Sequence, residues 1–401
     1  MATRIHEDKH MSTKAELLKL LEEKEKRDNL KSYKDDFTSF AEQQIRIITK
    51  DASQGFIPFT FNEAQKEITK ALDKQQKETG KVRCIILKAR QQGISTYCSA
   101  RVFWKTYFQQ HTRSVVLAHD SATSDALFSM SKNLIRNMPE ALKPNELTSN
   151  AKEIKIQSPA YTDKDAIGSY RLYTAGSPEA GRGTTPTVAH LSEVAFWTHD
   201  EKILAGLFQG ISQSDGTEVI LESTANGARG EFYRLWKGAV NGENEYLPVF
   251  LPWYITPEYR REPPTNMTLD TEEEELVERF GLDKAQLFWR RLKIAEGGKI
   301  KFQQEYPATA DEAFIMSGSN VFNKERLDAL VPQPHHRRSE WDVDSKGFDE
   351  NRDGNLFIYD FPKWEEPYVI GADVALGVGQ DYSAAVVMNS KYEVVATYRN
   401  N

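Results

Sequence analysis

The residues best suited to chemistry lie together in one stretch: Lys88, Ala89, Arg90, Gln91, Gln92, Gly93, Ile94, Ser95 and Thr96. An apolar, β-branched run at 82–87 precedes it, and a helical pattern at 95–108 follows. A strand, a tight loop and a helix N-terminus together aim backbone N–H groups at a polyphosphate. Laid on the spacing G-x-x-x-x-G-K-[ST], Gly93 takes the second glycine and Ser95 the hydroxyl that meets magnesium. Ile94 stands where the lysine belongs, so the cation that a triphosphate needs must come from elsewhere. Lys88 and Arg90, at the loop entrance, can reach back over the phosphates. The same residues also fit an ordinary strand-to-helix turn carrying two surface cations.

A second buried-strand pattern, 187–191, runs into Ser192 and Glu193. In-line attack of water on a γ-phosphate needs an acceptor that orients the water. Glu193 is the candidate; a strand-end Glu facing solvent is the plainer reading. Many such ATPases carry Asp one residue earlier to hold magnesium through water, and here that residue is Ser192. A third strand pattern, 217–221, leads to Ser223, Thr224, Ala225, Asn226 and Gly227. Small polar residues at such a strand end can sense a γ-phosphate, or simply make a turn. Arg182 lies between Gly181 and Gly183. It suits an arginine finger, which contributes roughly 10³–10⁵ in rate; it equally suits a DNA phosphate contact or a bland surface position.

The elements that must place these residues alternate between strand and helix from 82 to about 250. That alternation predicts an α/β fold with a mainly parallel sheet and helices on both faces. Residues 1–56 are charge-dense and read as a helical, mostly solvated region, with Leu17, Leu18, Leu20 and Leu21 as a weak stripe. The expected core spans 57–255, a helical and acidic subdomain 256–331, and a polar linker 332–355. Closely spaced strand patterns over 356–401 predict an antiparallel meander, read as the start of a second domain cut short. The chain has 401 residues and a net charge of -7, so any nucleic-acid contact must use a local basic patch. Arg229, Arg234 and Lys237 are candidates. Two cysteines exclude a disulfide scaffold or a cysteine-cluster zinc site. No apolar run approaches a membrane span and no signal-peptide core is present, so no membrane role and an intracellular compartment are expected.

The pieces occur in one order: Gln65, the loop 90–96, Arg182, Glu193 and 223–227. Next come Phe302-Gln303-Gln304-Glu305-Tyr306-Pro307, Ala313-Phe314 and Gly371-Ala372-Asp373. In this order the sequence resembles the large terminase subunit of tailed bacteriophages, over roughly residues 57–401. The resemblance implies an ASCE-type P-loop ATPase with ATP and Mg²⁺ at 88–96, in which an early basic residue replaces the missing lysine. Glu193 would be the catalytic glutamate, Ser223 and Thr224 part of a coupling motif, and Gln65 the adenine-reading glutamine. Residues 256–331 would act as a lid. Asp373 and Asp381 would begin an RNase H-like nuclease site using two divalent metals. Its later carboxylates are not in this chain, so cleavage is expected of the full-length nuclease domain only. The implied function is ATP-driven translocation of double-stranded DNA into a prohead. Implied partners are the portal protein, the small terminase subunit and further copies of the chain in a ring, in the bacterial host cytoplasm. Two other readings remain: a docking or assembly protein that kept the fold without turnover, suggested by Ile94 and Ser192, and a helicase-like DNA motor.

Overall fold

The computed structural model describes residues 30–49, 52–314, 334–342, 346–351, 353–374 and 383–400. The chain forms two compact units, Met1–Gly318 and Ser319–Asn401.

In the first unit a hairpin pairs β1 (Arg46–Ile48) antiparallel with β2 (Phe56–Pro58). The main sheet has eight strands: β3 (Val82–Lys88), β4 (Arg113–Ala118), β5 (Asn145–Ser149), β6 (Glu153–Gln157), β7 (Gly168–Thr174), β8 (Val188–Ser192), β9 (Glu218–Ser223) and β10 (Leu247–Leu251). Their order is β10-β3-β9-β8-β4-β7-β6-β5. Neighbours from β10 through β7 are parallel; β6 and β5 add an antiparallel edge. The helices are α1 (Phe37–Gln44), α2 (Glu63–Thr79), α3 (Ile94–Phe108), α4 (Ser121–Arg136), α5 (Asp200–Gly210), α6 (Gly230–Val240), α7 (Thr271–Phe280), α8 (Lys284–Gly297), α9 (Lys299–Glu305) and α10 (Ala310–Ala313).

Alternation along the strands feeds two cores, as successive side chains take opposite faces. Val82, Cys84 and Ile86 join Val188, Ile220 and residues of α1 to α4 on one face. Ile85 and Leu87 join Leu191, Val219, Leu221 and residues of α5 and α6 on the other. A third cluster gathers Ala89 with Trp253, Tyr259, Leu287 and Phe302. Within it the rings of Tyr259 and Trp289 stack at 4.5 Å.

The described part of the N-terminal region departs from the solvated expectation. Tyr33, Phe37, Phe40, Ala41 and Ile45 are buried. The reason is aromatic: Phe37 packs on Tyr97 and Trp104 of α3, and Phe40 on Phe103 and Tyr107. A dense charge pattern hid these rings. The leucine stripe at 17–21 lies outside the described residues.

The second unit is a six-stranded antiparallel sheet of β11 (Arg337–Asp342), β12 (Gly347–Glu350), β13 (Leu356–Ile358), β14 (Val369–Asp373), β15 (Ser383–Met388) and β16 (Val394–Asn400), in the order β12-β11-β13-β16-β15-β14. The last three strands form the expected meander. The stretch 332–355 differs from a linker, because it holds β11 and β12. Trp341 pairs with Phe348 across them, ring centres 5.1 Å apart, and such cross-strand aromatic pairs hold otherwise polar strands together. Among the described residues no helix is long and apolar enough to cross a membrane.

Candidate nucleotide site

Adjacent parallel strands β3, β9 and β8 end at one edge of the sheet, the edge where open α/β sheets hold ligands. Register does the placing. Ser192 lies beside Glu222, and Glu222 beside Ile86, two residues before Lys88. His190, Ser192, Glu222 and Lys88 therefore share the face covered by α3.

Their side chains converge. Lys88 is only 6% exposed. Its Nζ lies 2.9 Å from Glu193 Oε1 and 3.2 Å from Glu222 Oε2. Glu222 is fully buried. Its Oε1 accepts hydrogen bonds from Ser192 Oγ at 2.7 Å and Ser95 Oγ at 2.9 Å, and lies 3.2 Å from His190 Nε2. Burial alone would push the Glu222 carboxyl up; the Lys88 charge, with His190 and Ser192, holds it far below the usual carboxylate range. Burial works against the Lys88 ammonium too, and the two carboxylates outweigh it, so its pKa is raised. One lysine faces two carboxylates, which leaves the cluster one negative charge in excess.

Glu193 ends β8 at φ 54°, in the left-handed region. A non-glycine residue there costs of order 1–3 kcal/mol and persists only where its surroundings enforce it. Here its N–H donates to Glu222 O at 2.8 Å. Ser223 Oγ approaches Glu193 Oε2 at 3.4 Å and accepts from Ala195 N at 3.2 Å. Thr224 is buried next to it, and Asn226 Nδ2 donates to Ala195 O at 3.0 Å.

The loop is braced from two sides. Gly93 has φ 73°, and Gln91, exposed at the bend, φ 59°. Gln65, on the buried side of α2, accepts from Asn62 N through Oε1 and donates from Nε2 to Gly93 O at 2.9 Å. Its amide is thus engaged with the loop backbone, as part of a capping box with Asn62. Gln92 is also buried; it accepts from Ala89 N and donates to Pro252 O at 2.9 Å and Thr256 Oγ1 at 3.1 Å. Ile94, at the usual lysine position, is packed into the core, while Thr96 is half-buried on α3.

The two loop cations part ways. Lys88 joins the carboxylates, whereas Arg90 reaches α9: its N–H donates to Glu305 O at 2.8 Å and its Nη1 to Glu305 Oε2 at 3.2 Å. Tyr259 OH donates to Arg90 O. Next to Glu305, Gln304 Nε2 donates to Ala225 O at 3.0 Å. Segment 302–307 therefore grips both the β3–α3 loop and the turn after β9.

Arg182 is exposed, pairs with Glu179 at 2.7 Å and lies over Gly206 of α5. Arg234 pairs with Glu231, and Arg229 is exposed. In the second unit, Asp373 ends β14 and is exposed; Asp381 lies outside the described residues. Among the described residues no group of three or more His, Cys, Asp or Glu side chains is arranged to hold a metal. The sequence reading missed Glu222. Its signal is an acid on the same strand face as Ile220 in a buried run, which demands a cationic partner. Glu218, four residues earlier on that face, carries the same signal and pairs with buried Arg101 at 2.8 Å.

The donor set suits a hard cation such as magnesium, which prefers oxygen ligands. It offers the Ser95 and Ser192 hydroxyls, the buried Glu222 and half-exposed Glu193 carboxylates, and a net negative charge.

The fold is α/β with a mainly parallel sheet, in which one strand, β9, lies between β3, which feeds the loop, and the acid-ending strand β8. No family model matches the chain. It is similar to the crystal structure of the bacteriophage HK97 large terminase, at 14% identity and TM-score 0.48, over 91% of this chain and 67% of that one. It is also similar to the large terminase ATPase domain of Thermus phage P74-26, at 16% identity and TM-score 0.43, over 62% and 93%. The Phi-28 gp11 DNA packaging motor matches at 10% identity and TM-score 0.31, over 79% and 78%.

Proposed function

We propose that this chain is an ATP-hydrolysing DNA motor of the large-terminase kind, moving double-stranded DNA into a prohead. The observation that carries the reading is the meeting of Lys88 and Glu193, 2.9 Å apart, where the β3–α3 loop opens. Backbone N–H groups of residues 92–96 receive the phosphates, helped by the α3 N-terminus. Lys88 supplies the cation that Ile94 does not, exchanging a carboxylate partner for phosphate oxygen. Glu193 then accepts from the attacking water, held in place by Ser223. Magnesium, when bound at Ser95, would neutralise charge on the β- and γ-phosphates. Ser223 and Thr224 feel the state of Glu193, and Gln304 carries that state to the helices after Thr256, which serve as the lid. Gln65 we assign as a brace of the loop backbone. Arg182, exposed on its own chain, we assign to a neighbouring copy in a ring or to DNA phosphate.

Portal protein and small terminase subunit are the proposed partners, in the host cytoplasm. Asp373 and Asp381 we assign to a two-metal nuclease.

Phosphate release, measured with and without double-stranded DNA, tests the motor reading. Glu193→Gln should lower turnover by at least about a hundredfold while nucleotide binding persists. Unchanged turnover would remove Glu193 from its role. A docking protein without turnover, the reading favoured by Ser192 in place of an acid, predicts no phosphate release from the unaltered chain.

A further inference from the structure

The acid that β8 lacks at position 192 has a replacement one strand away. Glu222 on β9 is fully buried, and Ser192 and Ser95 both donate their hydroxyl hydrogens to its Oε1, at 2.7 and 2.9 Å. A hydroxyl that spends its hydrogen on a carboxylate leaves its oxygen lone pairs for something else. The other carboxylate oxygen, Oε2, is buried with no hydrogen-bond partner among the described residues, and only the Lys88 ion pair at 3.2 Å meets it. His190 Nδ1 is likewise buried without a hydrogen-bond partner among the described residues. A carboxylate oxygen has two lone-pair sites, so a single ion-pair contact leaves one of them unused in a place where desolvation is costly. The net negative charge of the cluster gives a cation reason to enter.

We infer that Glu222 is the positioning residue of the magnesium site, doing from β9 what an acid at 192 would do from β8. It sets the Ser95 and Ser192 oxygens and supplies the negative charge that favours the cation. This inference rests on the reading of 88–96 as a nucleotide loop. The parallel register makes the relocation possible, since Ser192 and Glu222 are direct neighbours and moving the acid across one strand spacing keeps it on the α3 face.

Equilibrium binding of a fluorescent ATP analogue to the whole chain, in chelator and in magnesium, tests it without relying on turnover. In the unaltered protein magnesium should tighten binding. In Glu222→Gln the magnesium increment, read as the ratio of the affinities with and without magnesium, should fall by about 10–100-fold, the range for loss of a supporting group around a metal. Adding Ser192→Asp to that variant should restore the increment, which a purely structural role for Glu222 would not predict. An undiminished increment in Glu222→Gln, or no recovery with Ser192→Asp, overturns the inference. If circular dichroism shows Glu222→Gln unfolded, Glu222→Asp takes its place: its shorter side chain cannot hold both hydroxyls, so an unchanged increment again overturns it. Absence of analogue binding by the unaltered chain in either buffer would instead sink the nucleotide reading itself, and this inference with it.

Discussion

Single residues at the site are held by charge balance in a place where charge is costly. Removing water from an ion costs several kcal/mol, and partners must repay it. Lys88 and Glu222 repay each other, with Glu193 and three further polar groups completing the set. The folded-state pKa of Glu222 lies below its unfolded value. Its contribution to stability is therefore complete above the unfolded value and is lost as pH falls through the folded one. Urea unfolding midpoints should drop as pH is lowered below about 4, where unfolded carboxylates gain protons. The drop should be shallower in Glu222→Gln, which has no proton to take up there. An identical acid limb in both proteins would show that Glu222 is not a charged group of the folded state.

At the scale of elements, α3 is pinned to β9 at two points. Ser95 meets Glu222 near its start, and Arg101 meets Glu218 at 2.8 Å further along. The loop feeding α3 depends on Gly93, whose φ of 73° suits glycine. A Cβ added there would sit 2.9 Å from Gln65 Nε2. Gly93→Ala should cost about 1–2 kcal/mol for the left-handed backbone alone, read from chemical denaturation, and should weaken nucleotide binding. Combining it with Gln65→Ala removes the clash but not the backbone cost, so the two effects should add to less than their sum. Strict additivity would mean that Gln65 does not press on the loop.

For the whole molecule, the three apolar clusters all belong to the first unit, as does every residue of the nucleotide site. A fragment ending at residue 314 should keep nucleotide affinity and melt within a few degrees of the full chain in calorimetry, as cooperative units with their own core do. A fragment that fails to fold would show that the second unit completes the first. The overall charge of -7 places any DNA contact on a local patch rather than a general field, so its salt dependence should reflect few phosphates.

Much of this protein was legible in one dimension. The alternation of strand and helix patterns gave the parallel sheet, because period 2 and period 3.6 are properties of the local chain. The loop around Gly93 and the acid-ending strand at Glu193 were visible for the same reason: each is a short contiguous motif. Which of two nearby cations turns to the carboxylates of Glu193 and Glu222 was not visible, since Lys88 and Arg90 differ only in the direction their strand and loop positions send them. Glu222 as the partner of Ser95, Ser192 and Lys88, and Gln65 as a brace under Gly93, also waited on the fold. Those contacts join residues 28 to 134 positions apart through helix packing, sheet order and register. Side chains far apart in the chain meet where tertiary packing brings them, and no local period encodes that meeting.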